Sequence, residues 1–124
     1  MIKKLILFLE NNIAASLLTT IIIGVLCFIP SKQIPDTGTD DKTAHFLAFG
    51  AMAFLWYLYL KNYLETFFGL LFYAIFIEIV QKNLPADFHR GFEYADILAD
   101  TMGILLGLLV VFLFKKYFLK LILK

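Results

Sequence analysis

A chain of 124 residues that is 61% hydrophobic, carries 14 phenylalanines and is only 17% charged has more apolar surface than so small a soluble interior can hide. Lipid is the natural solvent for the excess, and the length allows one domain, residues 1–124. The net charge of +1 says nothing about nucleic acid, which is not an expected partner of such a chain, and the single Cys27 excludes an internal disulfide.

Met1–Asn12 is apolar and basic, with Asn11-Asn12 before the first long apolar run. It reads as an interfacial helix or as the cytoplasmic extension of the helix that follows. The first span is expected over about 13–29. Leu26 stands where a lipoprotein signal before Cys27 needs a small residue, and no A-x-A-like cleavage pattern follows, so this helix is expected to be retained. Pro30, Pro35 and Gly38 mark a loop. The second and third spans, about 43–60 and 63–80, are separated only by Lys61-Asn62, which predicts a tight antiparallel hairpin. Pro85 and Gly91 break the chain again before a fourth span at about 95–114. At about 17–20 residues each, these runs reach roughly 25–30 Å, enough to cross a bilayer. In residues 115–124, Lys116, Lys120 and Lys124 recur every four positions between Leu and Ile. That suits a basic helix on anionic lipid or an ordinary cytoplasmic anchor.

The expected fold is an all-α membrane protein, a four-transmembrane-helix bundle with both termini cytoplasmic. Of the 11 basic residues, seven (Lys3, Lys4, Lys61, Lys115, Lys116, Lys120, Lys124) fall at the termini and the short turn. Four (Lys32, Lys42, Lys82, Arg90) fall in the other two loops. The positive-inside rule therefore places the termini in the cytoplasm. Of the acids, only Glu10 and Glu65 share that side.

The ionisable residues gather at the opposite end in three groups. Asp41, Lys42 and His45 open the second span, and the four-residue spacing of Asp41 and His45 puts both on one face. Glu78 and Gln81 close the third. Arg90 and Glu93 precede Asp96, Asp100, Gly103 and Gly107, and the last four form one stripe along the fourth helix. Simpler roles compete: Asp41 as a helix cap, His45 as an interhelical hydrogen-bonding group, Gln81 as a solvated side chain, and Gly103 and Gly107 as a small-xxx-small packing seam. Glu78 and Asp100 resist that treatment. An acid at the centre of a span costs on the order of 2.5–3.5 kcal/mol, and such residues usually face a partner inside the bundle. Arg90 and His45 are the partners on offer.

The order D-K-x-x-H, E-x-x-Q, then R…D-x-x-A-D-x-x-G-x-x-x-G resembles the VanZ-like family, over roughly Pro30 to Phe114. It is carried here by Asp41, Lys42, His45, Glu78, Gln81, Arg90, Asp96, Asp100, Gly103 and Gly107. Asp100 departs from the asparagine more usual in the family and adds an acid. The resemblance implies a multi-pass protein of the bacterial inner (cytoplasmic) membrane and cell envelope. The family's namesake is associated with teicoplanin resistance.

Three functions compete. The first is a binding or modulating protein whose outer pocket, formed by Asp41, Lys42, His45, Glu78, Gln81, Arg90, Asp96 and Asp100, takes a lipid headgroup, a lipid-linked glycan precursor or a glycopeptide antibiotic. Arginine suits phosphate or carboxylate, and Phe46, Phe49, Phe88, Phe92 and Tyr94 can receive acyl groups or rings. The second is an enzyme in which His45, Glu78, Asp96 and Asp100 are the catalytic candidates for metal-dependent or acid–base chemistry. No nucleophile stands out, since Cys27 is deep in a span and Thr43 has no special context. The third is a small transporter subunit, although nothing polar continues toward the cytoplasmic side. Membrane lipids are expected partners and no cofactor is expected. A divalent metal is compatible with the imidazole and carboxylates, but their spacing matches no established metal motif.

Overall fold

The computed structural model describes residues 2–28, 41–85 and 94–118, with Asp41 and Phe118 described by their backbone alone. Pro30, Pro35, Gly38, Phe88, Arg90, Gly91, Phe92, Glu93, Lys120 and Lys124 lie outside these residues. The elements are α1 (Ile2–Asn11), α2 (Ala14–Phe28), α3 (Asp41–Leu60), α4 (Tyr63–Lys82) and α5 (Tyr94–Leu113), the last continuing as a π-helical turn over Phe114–Phe118. Among the described residues there are no strands.

Three helical stretches, Lys42–Leu60, Tyr63–Lys82 and Tyr94–Tyr117, are long and apolar enough to cross a membrane, and α1 with α2 makes a fourth if that bent pair is one span. Alone, the 15 residues of α2 reach only about 22 Å at 1.5 Å per residue. The two helices meet at 74°, and local chemistry explains the break. Asn11 Nδ2 donates to Leu7 O at 2.8 Å, and the Ala14 amide donates to Asn12 Oδ1 at 2.9 Å. These side chains offer the backbone an alternative to continued helix. The last span runs past the expected end at residue 114 because no Gly or Pro follows Val110 to stop it.

The α3–α4 turn forms at Lys61-Asn62, as the sequence predicts. Lys61 takes a left-handed backbone with φ 59°, and its amide still donates to Tyr57 O at 2.7 Å, which ends α3. Asn62 Oδ1 accepts from the Glu65 amide at 3.0 Å and so caps α4. At this end of the bundle, Glu10 lies 3.8 Å from Lys61 Nζ and 3.7 Å from Lys115 Nζ. The end of α1, the hairpin turn and the end of α5 are therefore on one side.

Burial is reversed relative to a soluble protein. Leu64 and Phe72 are each 69% exposed, whereas Glu78 and Asp100 are 0% exposed. An apolar exterior around buried polar groups is the arrangement lipid favours. The apolar core consists of Phe49, Met52, Ala53, Leu70, Ala74, Ile77, Ile104 and Leu108.

Helices α3 and α5 run parallel and share the closest packing. A Cβ on Gly103 would strike the Phe46 carbonyl oxygen, and one on Gly107 would strike Gly50 O and come within 2.9 Å of Ala53 Cβ. Only glycine lets the two backbones approach this closely. The seam holds the first turns of α3 against those of α5, and the polar residues sit there.

Candidate functional site

The site is built where α3, α4 and α5 converge, beyond the apolar core. Lys42 and His45 come from the start of α3, Glu78 from the last turns of α4, and Asp96 and Asp100 from the first turns of α5. Helical geometry sets the α5 pair: a spacing of four keeps both carboxylates on the face that Gly103 and Gly107 press against α3, and all four residues are buried. The same three-to-four periodicity buries Glu78 and Gln81 together on α4.

Contacts cross from helix to helix. Lys42 Nζ pairs with Asp96 Oδ1. His45 Nδ1 lies 2.9 Å from Asp100 Oδ1, and its Nε2 lies 3.9 Å from Asp96 Oδ2. An ionised carboxylate only accepts, so Asp100 Oδ1 is placed to receive a proton carried on Nδ1, while Nε2 faces Asp96. Each of His45, Glu78 and Asp96 offers a ligating atom, and these atoms all lie within 4.8 Å of one another. His45 is 7% exposed, Asp96 4% and Glu78 0%, whereas the Lys42 side chain is 41% exposed. Lysine thus stands at the mouth and the acids inside. Little water reaches such a site, so its charges act on one another strongly.

Two expectations are revised. Gln81, read either as a pocket residue or as a solvated side chain, is 2% exposed, and its Nε2 donates to Cys27 O at 2.8 Å. It ties the end of α2 to α4 by satisfying one of the helix's last carbonyls. Phe49, expected among the aromatics flanking the pocket, is fully buried in the apolar core. The Asp41 side chain, Arg90, Phe88 and Phe92 lie outside the described residues. Phe46 is half-buried and Tyr94 exposed.

Sequence reasoning missed the polar seam that holds α2. Trp56 Nε1 donates to Thr20 Oγ1 and Tyr73 OH to Thr20 O, both at 2.7 Å. Thr20 Oγ1 itself donates to Ser16 O at 2.8 Å. Hydroxyls within a span often bond only to their own helix, and the signal here was the pairing of Thr20 with the lone tryptophan of the next span.

The fold and site define a small polytopic protein of membrane type, with ionisable side chains collected at one end of its bundle. The VanZ/LLP1 family matches residues 15–115, and the chain belongs to it. No curated protein and no solved structure matches the chain significantly.

Proposed function

We propose that this protein is a multi-pass component of the bacterial cytoplasmic membrane and envelope, with four spans and cytoplasmic termini, whose outer polar end binds the headgroup of an envelope lipid, a lipid-linked glycan or a glycopeptide. The observation that carries this reading is the burial of Glu78, Asp96 and Asp100 beneath a half-exposed Lys42. Simple anchoring would be served better, and at lower cost, by leucine at these positions.

The charge balance refines the ligand. Among the described residues the cluster sets three carboxylates, Glu78, Asp96 and Asp100, against Lys42 and His45. Carboxylates accept hydrogen bonds and repel anions. The site therefore suits the hydroxyls and amines of a sugar or aminated headgroup better than a bare phosphate.

The test is a melting curve of the protein in nanodiscs of defined lipid. A lipid-linked disaccharide, the same polyprenyl phosphate without sugar, phosphatidylglycerol and teicoplanin are added separately. The sugar-bearing lipid or the glycopeptide should raise the melting temperature, and Asp96→Asn should abolish the rise. Equal shifts from all four additives would overturn the reading.

A second reading, a membrane-embedded enzyme acting on a lipid phosphate or glycan, is supported by the His45–Asp100 pair at 2.9 Å. An imidazole oriented by a carboxylate, with further acids nearby, supplies the parts of acid–base catalysis. Mass spectrometry of the added lipid after incubation separates the two: an intact headgroup favours the binder and a cleaved one the enzyme.

A further inference from the structure

We propose that His45, Glu78 and Asp96 form a binding site for a divalent transition-metal ion, with Asp100 as the residue that positions the imidazole. The inference uses the same polar cluster as the headgroup reading but does not depend on any headgroup.

Three helices each deliver one ligating residue. His45 comes from α3, Glu78 from α4 and Asp96 from α5, and the donor atoms fall within 4.8 Å of one another. His45 Nε2 and Asp96 Oδ2 are 3.9 Å apart. Ligand atoms about 2.0–2.2 Å from a tetrahedral ion lie roughly 3.3–3.6 Å from each other, so small side-chain adjustments would close the set around a metal. Only side chains need move.

The surroundings of the imidazole point the same way. Metal-bound histidines commonly donate their other ring N–H to a carboxylate, which fixes the tautomer and strengthens the ligating nitrogen. Asp100 Oδ1 stands 2.9 Å from Nδ1 in that role, and the opposite nitrogen faces Asp96. Asp96 is divided similarly. Its Oδ1 meets Lys42, and Oδ2 is the oxygen turned toward His45.

Charge gives a third reason. Glu78 and Asp96 are buried carboxylates with ligating oxygens within 4.8 Å of one another. A divalent cation neutralises both. One imidazole with two carboxylates and no thiolate suits zinc, manganese or ferrous iron over cuprous copper, and the nitrogen ligand disfavours magnesium and calcium. Three protein ligands leave room for water or an oxygen of a bound molecule, as in open metal sites.

The test uses the ion alone. Full-length protein in nanodiscs is stripped with chelator, then titrated with Zn²⁺, Mn²⁺ or Mg²⁺ and followed by calorimetry. Co²⁺ is added in parallel and followed by its visible absorption. Wild type should bind one Zn²⁺ or Mn²⁺ per chain, should prefer both over Mg²⁺, and should give a Co²⁺ spectrum perturbed by nitrogen ligation. His45→Gln and Glu78→Gln should each lose most of the affinity. Asp100→Asn should weaken it by about 10–100-fold, the usual effect of removing such a supporting group, and shift the Co²⁺ bands. His89→Gln, which changes the chain's other histidine, should bind as wild type does. Wild type that binds no ion, or binds Mg²⁺ equally well, overturns the proposal, as does unchanged affinity in folded Glu78→Gln. Should the histidine variant fail to fold, the Glu78→Gln and wild-type Co²⁺ results decide alone. Because no glycolipid or glycopeptide is added, a negative result here leaves the headgroup reading standing, and the reverse also holds.

Discussion

His45 Nδ1 and Asp100 Oδ1 meet at 2.9 Å across the parallel helices α3 and α5, just beyond the glycine seam that brings those helices together. The contact orients the imidazole and gives buried Asp100 a donor. Asp100→Asn keeps an acceptor of the same shape, whereas Asp100→Ala leaves the ring N–H facing nothing polar at that point. Interhelical hydrogen bonds in membranes average about 0.6 kcal/mol and reach about 1.7 kcal/mol. Asp100→Ala should therefore cost roughly 1–2 kcal/mol in detergent unfolding, and Asp100→Asn less than about 1 kcal/mol. Equal losses would show that the pair is not a fold-stabilising contact.

The glycine seam predicts a contrast between positions. Gly103→Ala drives a methyl group into the Phe46 carbonyl, whereas Gly69, on α4, has nothing within 4 Å of its would-be Cβ. Backbone cannot step aside as a flexible side chain can, so Gly103→Ala should lose more than about 2 kcal/mol, as overpacking typically costs 1–3 kcal/mol. Gly69→Ala should be neutral, or more stable by up to about 1 kcal/mol from helix propensity. Thermal unfolding of the two variants side by side measures this directly.

Much of this arrangement could be read from the residues. The α3–α4 hairpin follows from a break as short as Lys61-Asn62. The buried stripe Asp96, Asp100, Gly103 and Gly107 follows from helical periodicity, because one face of α5 must turn inward. Partner choice could not be read so directly. Nothing in one helix says that Lys42 will reach Asp96, or that Gln81 will cap α2 at Cys27, since both depend on how separate helices dock. The 74° bend between α1 and α2 suits the interfacial reading of the first residues over the straight extension, a choice the sequence left open for a related reason. Hydropathy records that both segments are apolar, while the change of direction comes from two asparagine side chains.

Orientation rests on charge. Glu10, Lys61 and Lys115 meet at one end, and seven of the 11 basic residues belong to the termini and the hairpin turn. The positive-inside rule then predicts that a reporter fused after Lys124 is active only in the cytoplasm. Activity outside the cytoplasm would reverse the facing of the polar cluster and remove its access to outer headgroups.

Whether the buried acids serve a ligand or merely the fold is decided by Glu78→Gln, measured for stability and for headgroup binding on the same preparation. Glutamine keeps the shape and one acceptor oxygen while removing the charge. The variant should be monodisperse and melt close to the wild-type temperature. A hydrogen bond to a charged group contributes about 1.5–3 kcal/mol, so binding of the sugar-bearing lipid should weaken roughly 10–150-fold. A variant that binds the lipid as wild type does, or one that melts far below wild type, would contradict a ligand-binding role for this cluster.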